Sequence, residues 1–217
     1  MANSTVALSA LEDWQLVASS LGFRASAGLA LKRLGWIDHF YHLVTPIERL
    51  RFPRLRSDLR FAEATEADFA EIVRGIGALD VASRKEVMAR VLFRRRAPRG
   101  CTIGRDGQGA LVSMQWLVRP ADDAALQDWF RARYGPLRPD EVLIENIFIF
   151  PRFRAAGVFP TVNHEVLELA RREGFRVCAA HIRKDNIASL NAYLDLGFRM
   201  RGLLTSYSLA GVSWRTT

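Results

Sequence analysis

Two stretches carry residue types at spacings that can do chemistry. The first is Pro151-Arg152-Phe153-Arg154-Ala155-Ala156-Gly157-Val158-Phe159, where an apolar run stops at a proline and turns through a glycine into a helical pattern. At such a junction the first helical amides have no partner inside the helix and point at whatever lies in front of them. The amides from Arg154 to Phe159 therefore suit an anion such as a pyrophosphate. Gly157 permits a tight turn and a close approach of phosphate to the backbone, and Arg152 and Arg154 flank it with charge. The same residues also read as a surface turn with two solvated arginines. The second stretch runs from Asn186 to Phe198. Asn186 suits a helix N-cap or a bond to an amide of a bound molecule, Ser189 falls in the first turn, and Gly197 is placed to end the helix. Tyr193 lies about two turns past Asn186, near the same face. A phenol of ordinary pKa, about 10, is protonated at neutral pH and can give its proton to a leaving group. Taken alone, Tyr193 reads as a core tyrosine with a satisfied hydroxyl.

Position requires a frame. Val142 to Phe150 is a β-branched and aromatic run, as in a strand buried on both faces. Apolar residues at Phe159, Val162, Val166 and Leu169, with Arg171 and Arg172 before Gly174, predict a helix of about four turns. Val177 to Ile182 is again short and apolar, so the unit is βαβ with parallel strands. Glu145 is the one acid between Leu143 and Phe150, where a charge must have a partner or a purpose. It is either a base for proton abstraction or the partner of a structural arginine.

Together the two stretches resemble the acyl-CoA pocket of the GNAT N-acetyltransferase superfamily. The turn is similar to Arg/Gln-x-x-Gly-x-Gly/Ala, and the helix to Asn-x-x-Ser-x-x-x-Tyr-x-x-x-Gly-Phe. Phe159 departs from the small residue usual at its position, and Pro160 follows, which a first helical turn tolerates. The resemblance implies an α/β (α+β) fold over about residues 59 to 214: a mixed, mostly antiparallel central sheet, splayed between two parallel strands and flanked by helices on both faces. It implies transfer of an acetyl or other acyl group from acyl-CoA to a primary amine by direct attack in a ternary complex, without a metal. Tyr193 is then the acid for the departing sulfur, and a backbone amide near Phe148 or Ile149 holds the oxyanion. Arg154, Ala155, Ala156, Gly157, Val158, Phe159, Asn186 and Ser189 contact the cofactor, and a strand carboxylate, Glu145, serves as base directly or through water.

Upstream, Leu59 to Ala62 reads as a first strand, and Thr65 with Asp68 as a capping box opening a helix. Val81 to Arg95 suits a second helix. Cys101 to Arg105 and Ala110 to Val118 suit a hairpin turning at Asp106 to Gly109, Trp129 to Tyr134 a short helical insertion, and Arg199 to Leu204 with Tyr207 to Trp214 the closing strands. Residues 58–217 form the expected acyltransferase domain. Residues 1–57 are expected to be a helical, basic extension: one amphipathic stretch spans Leu8 to Leu21, another Leu29 to Leu43, and a linker carries Arg49, Arg51, Arg54 and Arg56. Such helices suit a cap on the domain, a homodimer surface or a membrane interface.

The composition of the 217 residues, 49% hydrophobic and 25% charged, is that of a globular protein. The two cysteines and four histidines show no disulfide framework and no metal spacing; His181, at the end of the second parallel strand, is placed either to see the site or to pack. No apolar run is long enough to span a membrane, and the first residues lack a signal-peptide pattern, so a cytoplasmic protein is expected. The net charge of +8 suits coenzyme A phosphates, an anionic membrane or an acyl-carrier protein; a nucleic-acid partner is not expected, for want of a reading helix or stacking pattern. Two other readings share the fold: an inactive binding module that docks through residues 1–57, and an acyltransferase that takes longer chains from a carrier protein.

Overall fold

The computed structural model describes residues 35–96, 99–122, 135–154, 157–209 and 212–216, together with Gln15 and Ser19. The stretch from Leu8 to Leu21 apart from those two residues, the start of the second amphipathic stretch, the insertion at Trp129 to Tyr134, and Ala155 and Ala156 lie outside it. Among the described residues the order is β1 (Gly35–Pro46), β2 (Arg60–Glu63), α1 (Glu66–Gly75), α2 (Val81–Arg96), β3 (Cys101–Arg105) and β4 (Leu111–Val118). There follow β5 (Glu141–Ile149), α3 (Val158–Arg172), β6 (Val177–Arg183), α4 (Ile187–Asp195), β7 (Arg199–Leu209) and β8 (Val212–Thr216). None of the described helices is long and apolar enough to cross a membrane.

Local signals decided most of these elements. Thr65 and Asp68 close the capping box of α1, each side chain bonding the other's backbone amide. Asp106 holds the β3–β4 turn by accepting from the amides of Gln108 and Ala110, and Gly109 takes the positive φ of +82°. Asn186 caps α4 through a bond from the Ser189 amide at 3.1 Å. That helix ends with the Gly197 amide on Leu194 and the Phe198 amide on Tyr193, around a glycine at φ +101°.

The eight strands form one mixed sheet in the order β2-β3-β4-β5-β6-β1-β7-β8, in which β5 and β6 are the one parallel pair. Helices α1 and α2 cover one face with a core of Phe69, Ile72, Met88, Met114, Trp116 and Leu143. Helices α3 and α4 cover the other over Leu43, Ile144, Val166, Leu167, Tyr193 and Leu196. The expected fold class is the observed one.

Two expectations are corrected. Residues 35–46, read as the end of a helical extension, are strand β1, hydrogen-bonded to β6 from Phe40↔Arg183 to Pro46↔Val177 and to β7 from Gly35↔Leu209 to Val44↔Arg199. Phe40 and Leu43 do fall at helical spacing, but the run is rich in aromatic and β-branched residues, and from Phe40 to Val44 a ladder on each side takes up its backbone. The closing strands break later than expected: β7 continues through Ser206, whose side chain is buried, and turns only after Leu209.

Leu43 separates the two readings of the N-terminal segment. Its side chain is fully buried in the α3–α4 core, so Leu43→Ala should cost about 3 kcal/mol in urea denaturation. On an exposed appendage the same change would fall within about 0.5 kcal/mol.

Candidate functional site

Strands β5 and β6 pair only from Glu141↔Val177 to Ile144↔Ala180, although β5 runs to Ile149 and β6 to Arg183. Beyond that point the sheet opens. The cause lies in β5, where Trp116 faces Glu145 and Met114 faces Phe148, so that one residue of β4 spans two of β5. This is a bulge, and it holds Asn146 at φ +55°, a value few side-chain-bearing residues adopt.

Two arginines complete the exposed backbone. Arg90 of α2 donates to the Asn146 carbonyl at 2.9 Å and the Ile147 carbonyl at 2.8 Å, and is itself held by the Glu86 carboxylate at 2.6 Å. Arg154 donates to the Ile149 carbonyl at 3.0 Å. Both guanidiniums lie over the Phe148 ring, 5.2 and 5.5 Å from its centre. The Phe150 amide bonds Val112 of β4, so by strand alternation the Phe148 amide also faces β4. The amides of Ile147 and Ile149 face the opening. Of the two donors expected, Ile149 is the one that alternation turns into the gap.

The glycine turn has a different neighbour from the one expected. Gly157 stands at φ +86° as the N-cap of α3, and a Cβ on it would lie 2.5 Å from the Arg54 carbonyl and 3.2 Å from the Arg56 stem. The Arg56 amide donates to Thr161 Oγ1 at 2.8 Å, and that hydroxyl donates to the Gly157 carbonyl. What the glycine admits at its α-carbon is thus the linker from β1, not a phosphate. Val158 and Phe159 open α3, where the first helical amides point outward from the N-terminus, and Pro160 has no N–H to satisfy. The positive end of this 15-residue helix still fits an anionic diphosphate through its first amides, while the Arg56 guanidinium is already bonded to Asp58 at 2.9 Å. Arg152 stacks on Phe153, 4.6 Å from its centre, and Arg154 is committed through its Nε to Ile149.

Tyr193 sits behind this turn, 1% exposed, its ring edge-on to Phe159 at 5.0 Å and to Phe198 at 5.0 Å. The bulky residue that replaces the family's small one therefore points inward and wedges the tyrosine. Burial, with the neighbouring Cys178 and the charge of Glu145, raises the phenol well above its usual range, so it holds its proton at neutral pH. Ser189 contributes its amide to the Asn186 cap, which engages the Asn186 side-chain oxygen within the helix. Glu145 shares the sheet face of Leu143 and Trp116 by alternation, opposite the face of Tyr193.

The sequence model of the acetyltransferase (GNAT) family matches residues 80–198, more than half of the chain and including β5, the turn, α3, β6 and α4. The chain belongs to the GNAT family.

Solved structures share the fold at low identity. A glucosamine N-acetyltransferase region, GCN5-related, of a fungal multi-domain β-N-acetylglucosaminidase superposes with a TM-score of 0.55 at 11% identity, over 88% of this chain and 22% of that one. A GNAT acetyltransferase from Colwellia psychrerythraea gives 0.52 at 11% identity over 84% and 60%, and a Drosophila protein 0.52 at 12% over 87% and 58%. This chain thus spans less than two thirds of the length of these structures. No protein of curated function matches it. GNAT enzymes transfer an acetyl group from acetyl-CoA, and the fold supports acyl transfer from acyl-CoA in general.

In this GNAT chain no sequence pattern marks Arg90. It carries the same charge as the Arg94 to Arg96 run beside it, and only the tertiary contact with the bulge singles it out. Gly157→Ala tests the revised role of the glycine. It is expected to cost about 2 kcal/mol or more in stability, from the positive φ and the clash with Arg54, as read by urea denaturation. A glycine that served phosphate alone would lose acetyl-CoA affinity at unchanged stability.

Proposed function

We propose that this chain transfers an acetyl or other acyl group from acyl-CoA to a primary amine by direct attack in a ternary complex. One observation carries the reading: the sheet parts between β5 and β6 beyond Ile144↔Ala180, strand alternation turns the Ile149 amide into that gap, and the buried, protonated phenol of Tyr193 lies against Phe159 behind the α3 N-terminus. The residues divide the work. The Val158 and Phe159 amides at the positive end of α3 hold the phosphates, and Asn186 and Ser189 set the first turn of the helix that carries the tyrosine. Coenzyme A supplies the activated thioester when bound.

The Ile149 amide, fixed before any ligand arrives because Arg154 and the bulge hold its strand, is the donor for negative charge developing on the thioester oxygen. Tyr193 gives its proton to the departing thiolate; burial keeps that proton available. Glu145, at the mouth of the gap on the α1–α2 face, meets the ammonium group of the acceptor and draws its proton. Amine and thioester then meet as one complex, with no covalent enzyme intermediate.

Titration calorimetry with acetyl-CoA is expected to show one binding event. Tyr193→Phe should lower kcat by about 100-fold and change the acetyl-CoA dissociation constant by less than about threefold. Equal loss of both would make Tyr193 a packing residue only, and absence of binding would remove the acyltransferase reading.

A further inference from the structure

Strand β1 brings a side chain to the gap that the sequence had placed in a helical appendage. His42 of β1 lies directly across from His181 of β6 in the ladder, and His42 Nδ1 is 2.9 Å from His181 Nε2, the rings stacked with centres 4.9 Å apart. Leu43 and Ile182 point into the α3–α4 core, so His42 and His181 point to the opposite face, where Ala179 and Leu143 pack. Ile144↔Ala180 is the last parallel pair; Glu145 and His181 are the next residue on each strand, one on either lip of the opening. A row runs across three strands at the mouth of the gap: Glu145, His181, His42. Both histidines are half-buried, and no other pair of hydrogen-bonded histidines occurs among the described residues.

We infer that the His181–His42 pair is the outlet for the proton lost by the acceptor amine, a relay from the gap to β1. The inference rests on the acyltransferase reading above and adds residues to it. Two imidazoles that share one hydrogen bond hold one proton between them and can take up one more. An imidazole titrates closer to neutrality than a carboxylate, which makes it the better store for a proton between turnovers. The protons balance as follows. An alkylammonium acceptor begins with three N–H bonds and the amide product keeps one. One proton ends on the sulfur of coenzyme A, as the C–S bond breaks and Tyr193 donates; the second N–H proton restores the phenol. The third is drawn off at Glu145, crosses the pair by formation of an N–H bond on His181 and release from His42, and leaves to solvent.

The surroundings of His42 favour release. Burial lowers its pKa below the usual 6.5, Glu141 of β5 acts to raise it, and Arg201 of β7 and Arg215 of β8 act to lower it. With His181, its hydrogen-bond partner, these are the charged and titratable groups that act on it among the described residues, and the balance leaves His42 neutral at neutral pH, ready to pass a proton on.

The full chain is the material for the test. Nitrogen-15 imidazole spectra, recorded with and without acetyl-CoA between about pH 5 and about pH 9, should show the two rings titrating as a coupled pair, uncoupled by His42→Gln or His181→Gln. With the best acceptor from a panel of small primary amines, each variant should lower kcat/KM about 100-fold, flatten the acid limb of the pH profile and leave the acetyl-CoA dissociation constant unchanged. His181→Ala should regain part of its rate when free imidazole is added, which a purely structural histidine would not do. A chain that binds no acetyl-CoA overturns the acyltransferase reading and the relay with it. A chain that binds acetyl-CoA and acetylates amines, but whose histidine variants keep wild-type kcat/KM and pH profile, overturns the relay alone. Should acetyl-CoA bind and no amine in the panel react, the spectra decide: rings that titrate independently overturn the relay, and a coupled titration that shifts on binding supports it.

Discussion

A sheet that opens in its middle exposes backbone donors and acceptors that its strands no longer pair, and buried groups of this kind must find partners elsewhere. Here the partners are arginines. Arg90 takes the carbonyls of Asn146 and Ile147, and Arg154 takes that of Ile149, so three carbonyls of the β5 wall have donors from outside the sheet. Because Glu86 holds Arg90 in turn, α2, β5 and the bulge form one unit. Without that capping, the positive φ at Asn146 and the separation of the parallel strands would have nothing to hold them.

The same economy appears at the helix N-terminus. The linker that leaves β1 crosses α3, places Phe52 edge-on to His164, and lays the Arg54 carbonyl against Gly157. Its amide at Arg56 is satisfied by Thr161, and the Arg56 guanidinium by Asp58. The N-terminal segment reaches both faces of the sheet: through this linker on the α3–α4 face, and through His42, bonded to His181, on the other.

Much of the arrangement was legible because its signals are local. A capping box, an Asx-held turn, a helix between Gly157 and Gly174 and the Asn186–Gly197 helix depend on residues a few positions apart, and each formed where its residues stand. The placement of Tyr193 behind the glycine turn followed from the family pattern. Strand β1 was misread because a short apolar run satisfies a helical and an extended spacing equally well. Its choice of strand depends on ladders to Val177–Arg183 and Arg199–Leu209, more than a hundred residues away.

By itself the sequence determined the elements from β2 to α4, their caps and turns, and the family, since these rest on side chains that act on their own neighbourhood of the backbone. Tertiary structure alone decided which strand fills the place between β6 and β7, which arginine caps the bulge, what lies against Gly157, and that two histidines 139 positions apart share a hydrogen bond. The physical reason is that a strand edge, a buried carbonyl and an imidazole nitrogen accept any suitable partner, and only the closed sheet selects which one arrives.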